Sequence, residues 1–97
     1  MDIKQVEGRK AGKLMLYAIS TCPWCRKTKA LLNELGVEYS YIDVDLVPEE
    51  EEDKISQELE KWNDRLSFPT LVIDDEEVII GFQEERIRQV LKGKSSE

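Results

Sequence analysis

The chain has 97 residues and a net charge of −7, with 40% hydrophobic and 36% charged residues. This length closes one hydrophobic core and is too short for two, so one domain should contain the whole chain. The acidic surplus disfavours a nucleic-acid partner, because phosphate binding depends on Lys and Arg. Histidine is absent, so any chemistry must use sulfur, carboxylate, lysine or backbone groups.

The longest uninterrupted apolar run covers residues 14–19, six residues. A helix needs about 20 such residues to span a bilayer. No apolar run with a small-residue cleavage site opens the chain, so we expect a cytoplasmic protein without a membrane association. In that reducing compartment a lone Cys-x-x-Cys pair is more often catalytic or metal-binding than a structural disulfide.

The first half of the chain predicts a strand, a helix and a second strand. Residues 1–13 are polar without a sustained period, so we expect a loose N-terminal lead. The run at 14–19 is typical of a strand buried on both faces, and a helix is predicted over 23–35 with Gly36 as its C-cap. The residues that define its inner face recur at three- and four-residue spacings: Thr28, Leu31, Leu32 and Leu35. The β-branched and aromatic residues of 37–44 predict the next strand, parallel to the first.

A second helix is predicted over about 48–65. Its apolar stripe is spaced four, three and four residues apart: Ile55, Leu59, Trp62 and Leu66. The sequence PEEEED at 48–53 places proline in the first turn and carboxylates at the positive end of the helix dipole. A solvated helix start explains this acidic run, and a docking or cation-binding surface is the alternative.

The last part of the chain predicts a hairpin and a third helix. Two short strands, 69–73 and 78–80, flank an acidic turn without glycine, whose type the sequence leaves open. A helix follows over 83–91, and the tail 92–97 should fray. The order strand, helix, strand, helix, strand, strand, helix indicates a single α/β domain over 1–97, with helices on both faces of the sheet.

The only two cysteines of the chain lie in the sequence TCPWCR at 21–26, where a buried strand meets a helix. Unpaired backbone N–H groups and the helix dipole should favour the thiolate of Cys22, which makes it the expected nucleophile. Cys25 lies close to one helical turn further on, so it can meet Cys22 and resolve a mixed disulfide. Pro23 fits a first helical turn and stiffens it, and we expect the Trp24 ring to be exposed beside the sulfur.

Three basic residues follow the motif in an otherwise acidic chain: Arg26, Lys27 and Lys29. They could lower the pKa of Cys22 or attract an anionic group of a substrate. The alternative is an ordinary basic face of a helix, and the sequence does not decide between the two interpretations.

The succession of a strand, CPWC, a helix, a strand, a helix, FPT, a strand pair and GF before a last helix resembles a glutaredoxin or NrdH-redoxin of the thioredoxin superfamily. The resemblance covers residues 13–92. It implies the thioredoxin fold, a four-stranded mixed sheet flanked by three helices. It further implies a thiol–disulfide oxidoreductase that reduces protein disulfides such as that of ribonucleotide reductase, without a tightly bound cofactor or metal.

The resemblance also assigns residues beyond the cysteines. It implies that the proline before the third strand is cis and presents neighbouring backbone groups to a bound peptide or thiol. Two residues between the cysteines are also expected to bind substrate. The complete set of expected substrate-binding residues is Pro23, Trp24, Phe68, Pro69, Thr70, Gly81, Phe82 and Gln83.

Two departures from glutathione-using glutaredoxins concern the electron donor. Such proteins commonly have Lys three residues before the first cysteine, and Ile19 occupies that position here. They also tend to have a Gly-Gly pair, whose second glycine is replaced by Phe82, followed by Gln83. The stretch GFQEERI resembles NrdH-redoxins, which accept electrons from thioredoxin reductase, although their cysteine motif usually lacks Pro-Trp. We therefore expect an external reductant, with thioredoxin reductase more effective than glutathione.

The sequence leaves two other uses of the cysteines open. A dimeric scaffold for an iron–sulfur cluster or a metal ion would use the same thiolates, although two thiolates are only half of a tetrahedral zinc site. A structural disulfide over so short a loop would constrain the unfolded chain very little. For the redox function itself we expect a monomer.

Overall fold

The computed structural model describes residues 3–63 and 67–92. Each predicted strand and helix is present in the predicted order, with one additional strand near the N-terminus. The strands are β1 (Lys4–Val6), β2 (Leu14–Ala18), β3 (Tyr39–Asp43), β4 (Thr70–Ile73) and β5 (Glu77–Ile80). The helices are α1 (Pro23–Glu34), α2 (Glu49–Trp62) and α3 (Glu84–Lys92), and a short 3-10 turn, Val44–Leu46, joins β3 to α2.

The five strands form one mixed sheet in the order β1-β3-β2-β4-β5. Strands β2 and β3 are parallel and joined through α1, which confirms the predicted βαβ unit. Strand β4 runs antiparallel to β2, with Thr70 opposite Tyr17, and β5 closes the predicted hairpin. Three helices around a mixed sheet confirm the thioredoxin-like architecture.

The expected loose lead over residues 1–13 and the expected strand count of four are corrected by β1. Lys4 pairs antiparallel with Tyr41 and Val6 with Tyr39, so β1 adds a fifth strand at the edge of the sheet. An edge strand packs against one neighbour and needs little apolar content of its own, and only Val6 in β1 is half-buried. The polar pattern of residues 1–13 therefore does not predict β1, because this strand depends on pairing with the free edge of β3.

Helices cover both faces of the sheet, as predicted. Buried residues of α1 and α3, including Leu32 and Ile87, pack in one cluster with Leu16 of β2. On the opposite face, α2 contributes Ile55 to a cluster with Tyr17. Neighbouring residues of β2 thus point into different layers, which explains why its sequence is continuously apolar.

The ends of the elements agree closely with the predicted ones. The C-cap residue of α1 is Leu35 rather than the predicted Gly36. Gly36 follows it with a φ of +67°, in the left-handed region that favours glycine. Pro48 lies just before α2 rather than within its first turn, and Glu49 to Glu52 form that turn. Helix α2 ends at Trp62, whereas the predicted end at Arg65, its stripe residue Leu66 and the tail beyond Lys92 lie outside the described residues.

The acidic turn between β4 and β5 has a defined geometry. Asp74 and Asp75 have φ values of 55° and 54°, and the N–H of Glu76 donates to the carbonyl of Ile73 at 3.1 Å. Two successive left-handed residues are typical of a type I′ turn, which Asp tolerates better than most residues. Asp74 and Asp75 therefore form this turn without a glycine.

The topology brings three separate segments to one end of the sheet. The chain leaves β2 at Ala18 toward Cys22, and the start of β4 at Thr70 lies beside that end of β2. Thr70 is also opposite Ile80, the last residue of β5. The segments that follow or precede these strand ends, at 19–22, 67–69 and 81–83, therefore meet. No helix in the described ranges is long and apolar enough to cross a membrane.

Candidate active site

Cys22 is the N-cap residue of α1. Its backbone is extended, with φ −85° and ψ 118°, and its carbonyl accepts the N–H of Arg26 at 3.1 Å. Its own N–H donates to the carbonyl of Ile19 at 3.1 Å, which closes the turn out of β2. The N–H of Cys25 donates to the Cys22 sulfur at 3.3 Å. Sulfur thus occupies the position of the side-chain oxygen that usually caps a helix, and Pro23 begins the helix as predicted.

The surroundings of Cys22 favour its thiolate. Burial by itself would raise the pKa of this thiol, but hydrogen bonds from the Cys25 thiol and from the backbone N–H groups of Cys25 and Trp24 outweigh it. The net result is a pKa below the ordinary value of a cysteine. Hydrogen bonds to the charged form stabilise it relative to the neutral thiol. The sulfur that is accessible is therefore also the one that ionises.

Cys25 has the opposite environment. It is 1% exposed and lies on the inner face of α1, where it packs in the core cluster. Burial and the hydrogen bond and charge of Cys22 raise the pKa of the Cys25 thiol to about 12, although a backbone hydrogen bond with Ile19 and the charge of Lys29 lower it. Cys25 is therefore a neutral thiol that donates to the Cys22 sulfur, and neither cysteine is in a disulfide.

The three basic residues after the motif are engaged in different ways. The Lys27 ammonium lies over the Trp24 ring, 4.5 Å from its centroid. Lys29 forms an ion pair with Asp43, with Nζ and Oδ1 2.9 Å apart, while Arg26 is exposed. The lowered pKa of Cys22 arises from hydrogen bonds rather than from these three charges. The causes of the Cys22 pKa shift thus do not include the predicted effect of these basic residues.

A carboxylate that the sequence analysis did not single out holds the segment before Cys22. Asp45, in the 3-10 turn after β3, accepts the Ser20 N–H at 2.9 Å and the Ser20 hydroxyl at 2.6 Å. These two hydrogen bonds hold the pKa of the Asp45 carboxyl below its usual value. Ser20 is two residues before the nucleophile, so the pair fixes the turn that leads to Cys22.

The Phe68–Pro69 peptide bond is cis, as the resemblance implies. Pro69 is buried, and its carbonyl accepts the N–H of Gly81 at 2.8 Å. Thr70 is fully buried, and its hydroxyl donates to the carbonyl of Ser67 at 2.8 Å. The side chain of Thr70 therefore belongs to the framework of this turn, and its predicted role toward a substrate rests on its backbone.

Asn63, at the end of α2, completes that framework. It is 3% exposed, and its Nδ2 lies 3.0 Å from the carbonyl of Ser67, 2.9 Å from the Ser67 hydroxyl and 3.1 Å from the Thr70 hydroxyl. These bonds connect the end of α2 to the turn that carries Pro69. The sequence offers no signal for this role, since a polar residue after a helix is normally exposed.

Among the predicted residues after β5, Phe82 contacts the tryptophan that lies between the two cysteines. Gly81 has a φ of +82°, where side chains are strained, and Gln83 donates from Nε2 to the carbonyl of Ile80 at 2.7 Å. The half-buried Phe82 ring stacks on Trp24 with centroids 6.1 Å apart and an interplanar angle of 26°. Trp24 is 54% exposed, as predicted. Trp24 and Phe82, one predicted residue from each segment, thus form an aromatic pair.

The described ranges contain no group of three Cys, Asp or Glu side chains that could hold a metal ion. The cysteine pair alone supplies two sulfur ligands, whereas a structural zinc site has four ligands. The difference in acidity between the two sulfurs suits the pair to thiol chemistry.

The strand order, the Cys-x-x-Cys pair at a helix start and the cis proline define a thioredoxin-like domain. A model of the glutaredoxin family matches residues 14–78, which include both cysteines and Pro69. Because this match covers more than half of the chain, the protein belongs to the glutaredoxin family.

Similar proteins share this assignment. Glutaredoxin 1 of Rickettsia felis is 34% identical over 62 residues, which are 64% of this chain and 58% of that protein. The match thus spans less than two thirds of the relative's length. An uncharacterized glutaredoxin-like 8.6 kDa protein of a rubredoxin operon in Clostridium pasteurianum is 27% identical over 79 residues, covering 81% of this chain and 97% of its own.

Two solved structures are similar over most of the chain. The glutaredoxin of Methanosarcina mazei Go1 is 44% identical with a TM-score of 0.84, covering 92% of this chain and 86% of its own. Methanoredoxin of Methanosarcina acetivorans is 45% identical with a TM-score of 0.84, covering 87% and 88% of the two chains. Both similarities cover a larger share of the chain than the matched family segment does.

Replacing Asn63 with alanine should destabilise the fold, because it removes the amide that joins α2 to the turn before Pro69. We expect the free energy of unfolding in urea to fall by about 1–3 kcal/mol. The matched control is Asn33→Ala, since Asn33 is exposed and its side chain accepts a hydrogen bond from the Tyr39 hydroxyl at 3.3 Å. That variant should lose about 0.5 kcal/mol. Equal losses in the two variants would contradict the role of Asn63.

Proposed function

We propose that this protein is a thiol–disulfide oxidoreductase that reduces disulfides of other proteins, with Cys22 as nucleophile and Cys25 as resolving residue. The observation that supports it most directly is the difference in acidity between two adjacent sulfurs. Cys22 has a lowered pKa and is partly accessible, whereas the buried Cys25 stays protonated. Since the thiolate is the attacking species, only one of the two can begin an exchange reaction.

In the first step the Cys22 thiolate attacks one sulfur of a substrate disulfide. A bond forms between Cys22 and that sulfur, the substrate S–S bond breaks, and its electron pair leaves with the other substrate sulfur, which takes a proton from water. In the second step Cys25 gives up its proton to water and attacks the Cys22 sulfur. The Cys22–Cys25 bond forms, the bond between Cys22 and the substrate breaks, and the second substrate sulfur leaves as a thiolate. The protein is then oxidised, with a Cys22–Cys25 disulfide, and a two-electron donor must reduce it again.

The order of these steps follows from the environment of Cys25. Two of the causes that raise its pKa are the hydrogen bond to Cys22 and the negative charge of Cys22. Both disappear when the Cys22 sulfur is bonded to a substrate, because a disulfide sulfur carries no charge. Cys25 therefore becomes easier to ionise only after the mixed disulfide has formed, which is when its thiolate is needed.

We also propose that the electron donor is a reductase of the thioredoxin reductase type rather than glutathione. Two features support this. Ile19 provides no cation for a glutathione carboxylate. The stack of Phe82 on Trp24 places a bulky ring beside the cysteines, where a second glycine would leave the groove open. A tripeptide has fewer contacts available there than a protein surface has.

Reduction of insulin by the reduced protein tests the activity. We expect multiple turnovers by the wild type with a coupled reductase and loss of activity in Cys22→Ser, because the nucleophile is absent. Cys25→Ser should instead form a stable mixed disulfide at Cys22, detectable by mass spectrometry. Retained activity in Cys22→Ser would contradict the assignment of the nucleophile.

The donor is tested by reduction of the oxidised protein with either system. We expect thioredoxin reductase with NADPH to reduce it faster than glutathione with glutathione reductase. The double variant Ile19→Lys/Phe82→Gly should gain glutathione-dependent turnover, because it restores a cation and opens the groove. Ile3→Lys, which adds the same charge at an exposed position beside β1, serves as the matched control. Rapid turnover of the wild type with glutathione alone would refute the proposal.

A further inference from the structure

The proposed reaction requires Cys25 to lose its proton in a place that disfavours its thiolate. Cys25 is 1% exposed, so a charge on its sulfur has little contact with water. Once Cys22 is in a mixed disulfide, burial remains as the cause that raises the Cys25 pKa. A nearby positive charge would offset this cost. Lys29, on the same helix, carries such a charge.

Lys29 follows Cys25 by four residues on α1, a spacing that places two side chains on the same face of a helix. The Lys29 side chain is only 23% exposed, and two residues of β3 contact its ammonium. Its Nζ lies 2.9 Å from Oδ1 of Asp43 and 4.2 Å from the centroid of the Tyr41 ring. An ammonium fixed in this way cannot move freely into solvent, as the ammonium of an exposed lysine does.

We propose that Lys29 is a positioning residue for the resolving step: its ammonium, held by Asp43 and Tyr41, favours the Cys25 thiolate that attacks the mixed disulfide. The inference rests on the proposed function and adds a third residue to it. Lys29 exchanges no proton and forms no bond with the substrate. It acts through its charge, from a position one helical turn after Cys25 on α1.

The other groups around Lys29 are consistent with this role. The titratable side chains that interact with it are Asp43 and Tyr41 on β3, Asp45 in the 3-10 turn, and Cys25 on its own helix. The Asp43 carboxylate offsets part of the Lys29 charge and also fixes its position. The causes that lower the pKa of Cys25 include Lys29, whereas those that act on Cys22 do not. We therefore expect the charge of Lys29 to act mainly on the second step.

A single-turnover reaction with limiting dithiobis(nitrobenzoate) separates the two steps. Attack by Cys22 releases one nitrothiobenzoate and leaves the other in a mixed disulfide, and attack by Cys25 then releases the second. Stopped-flow absorbance gives both rates over a range of pH. In Lys29→Met we expect the second release to be about three- to tenfold slower at neutral pH and its pH midpoint to rise. The first release should change by less than about twofold, because Lys29 is not among the groups that act on the Cys22 pKa. An unchanged first release also shows that the fold of the site is intact.

Two further variants distinguish charge from packing. Lys29→Arg keeps a cation beside Asp43 and should restore the second rate, and Lys54→Met removes one exposed positive charge from α2 and should match the wild type. An unchanged second rate in Lys29→Met would overturn the inference, and so would a second rate in Lys29→Arg as slow as that of Lys29→Met. If the wild type showed no first release of nitrothiobenzoate, that result would instead contradict the proposed function.

Discussion

The hydrogen bond from the Cys25 N–H to the Cys22 sulfur determines how the rest of the site works. It caps α1 with a sulfur atom, so the same interaction that begins the helix also stabilises a thiolate. It fixes Cys25 one turn further on, inside the core, where its thiol stays neutral and donates to Cys22. Helix initiation and the division of roles between the two cysteines therefore have one physical origin, the orientation of free N–H groups at a helix start.

The remainder of the fold keeps that helix start in place. Asp45 holds Ser20 from the side of β3, and Asn63 and Thr70 hold the turn that carries Pro69. The carbonyl of Pro69 is in turn bonded to Gly81, which connects this turn to the segment that contains Phe82. Each of these contacts joins residues that are distant in the sequence at the end of the sheet where β2 and β4 meet. The chemistry is local to two residues, but its geometry depends on four segments.

The sequence was sufficient for those parts of the structure that depend on local pattern. The run before Cys22, the spacing within α1 and the proline before β4 each have a recognisable signature, so the fold and the cysteine pair could be predicted. Strand β1 could not, because it depends on a free edge of β3, and neither could the buried Asn63. The stacking of Trp24 on Phe82 and the pairing of Lys29 with Asp43 likewise arise from tertiary contacts. Local patterns carry no information about such partners.

The central claim is that the two sulfurs differ in acidity because one is a helix cap and the other is buried. NMR of the reduced protein, labelled at the β-carbon of cysteine, measures the ionisation of each thiol directly over a pH titration. The predicted result is a midpoint for Cys22 below that of an ordinary cysteine, with Cys25 remaining protonated up to a pH of about 12. Ionisation of both thiols together near the ordinary cysteine value, or of Cys25 before Cys22, would contradict the account.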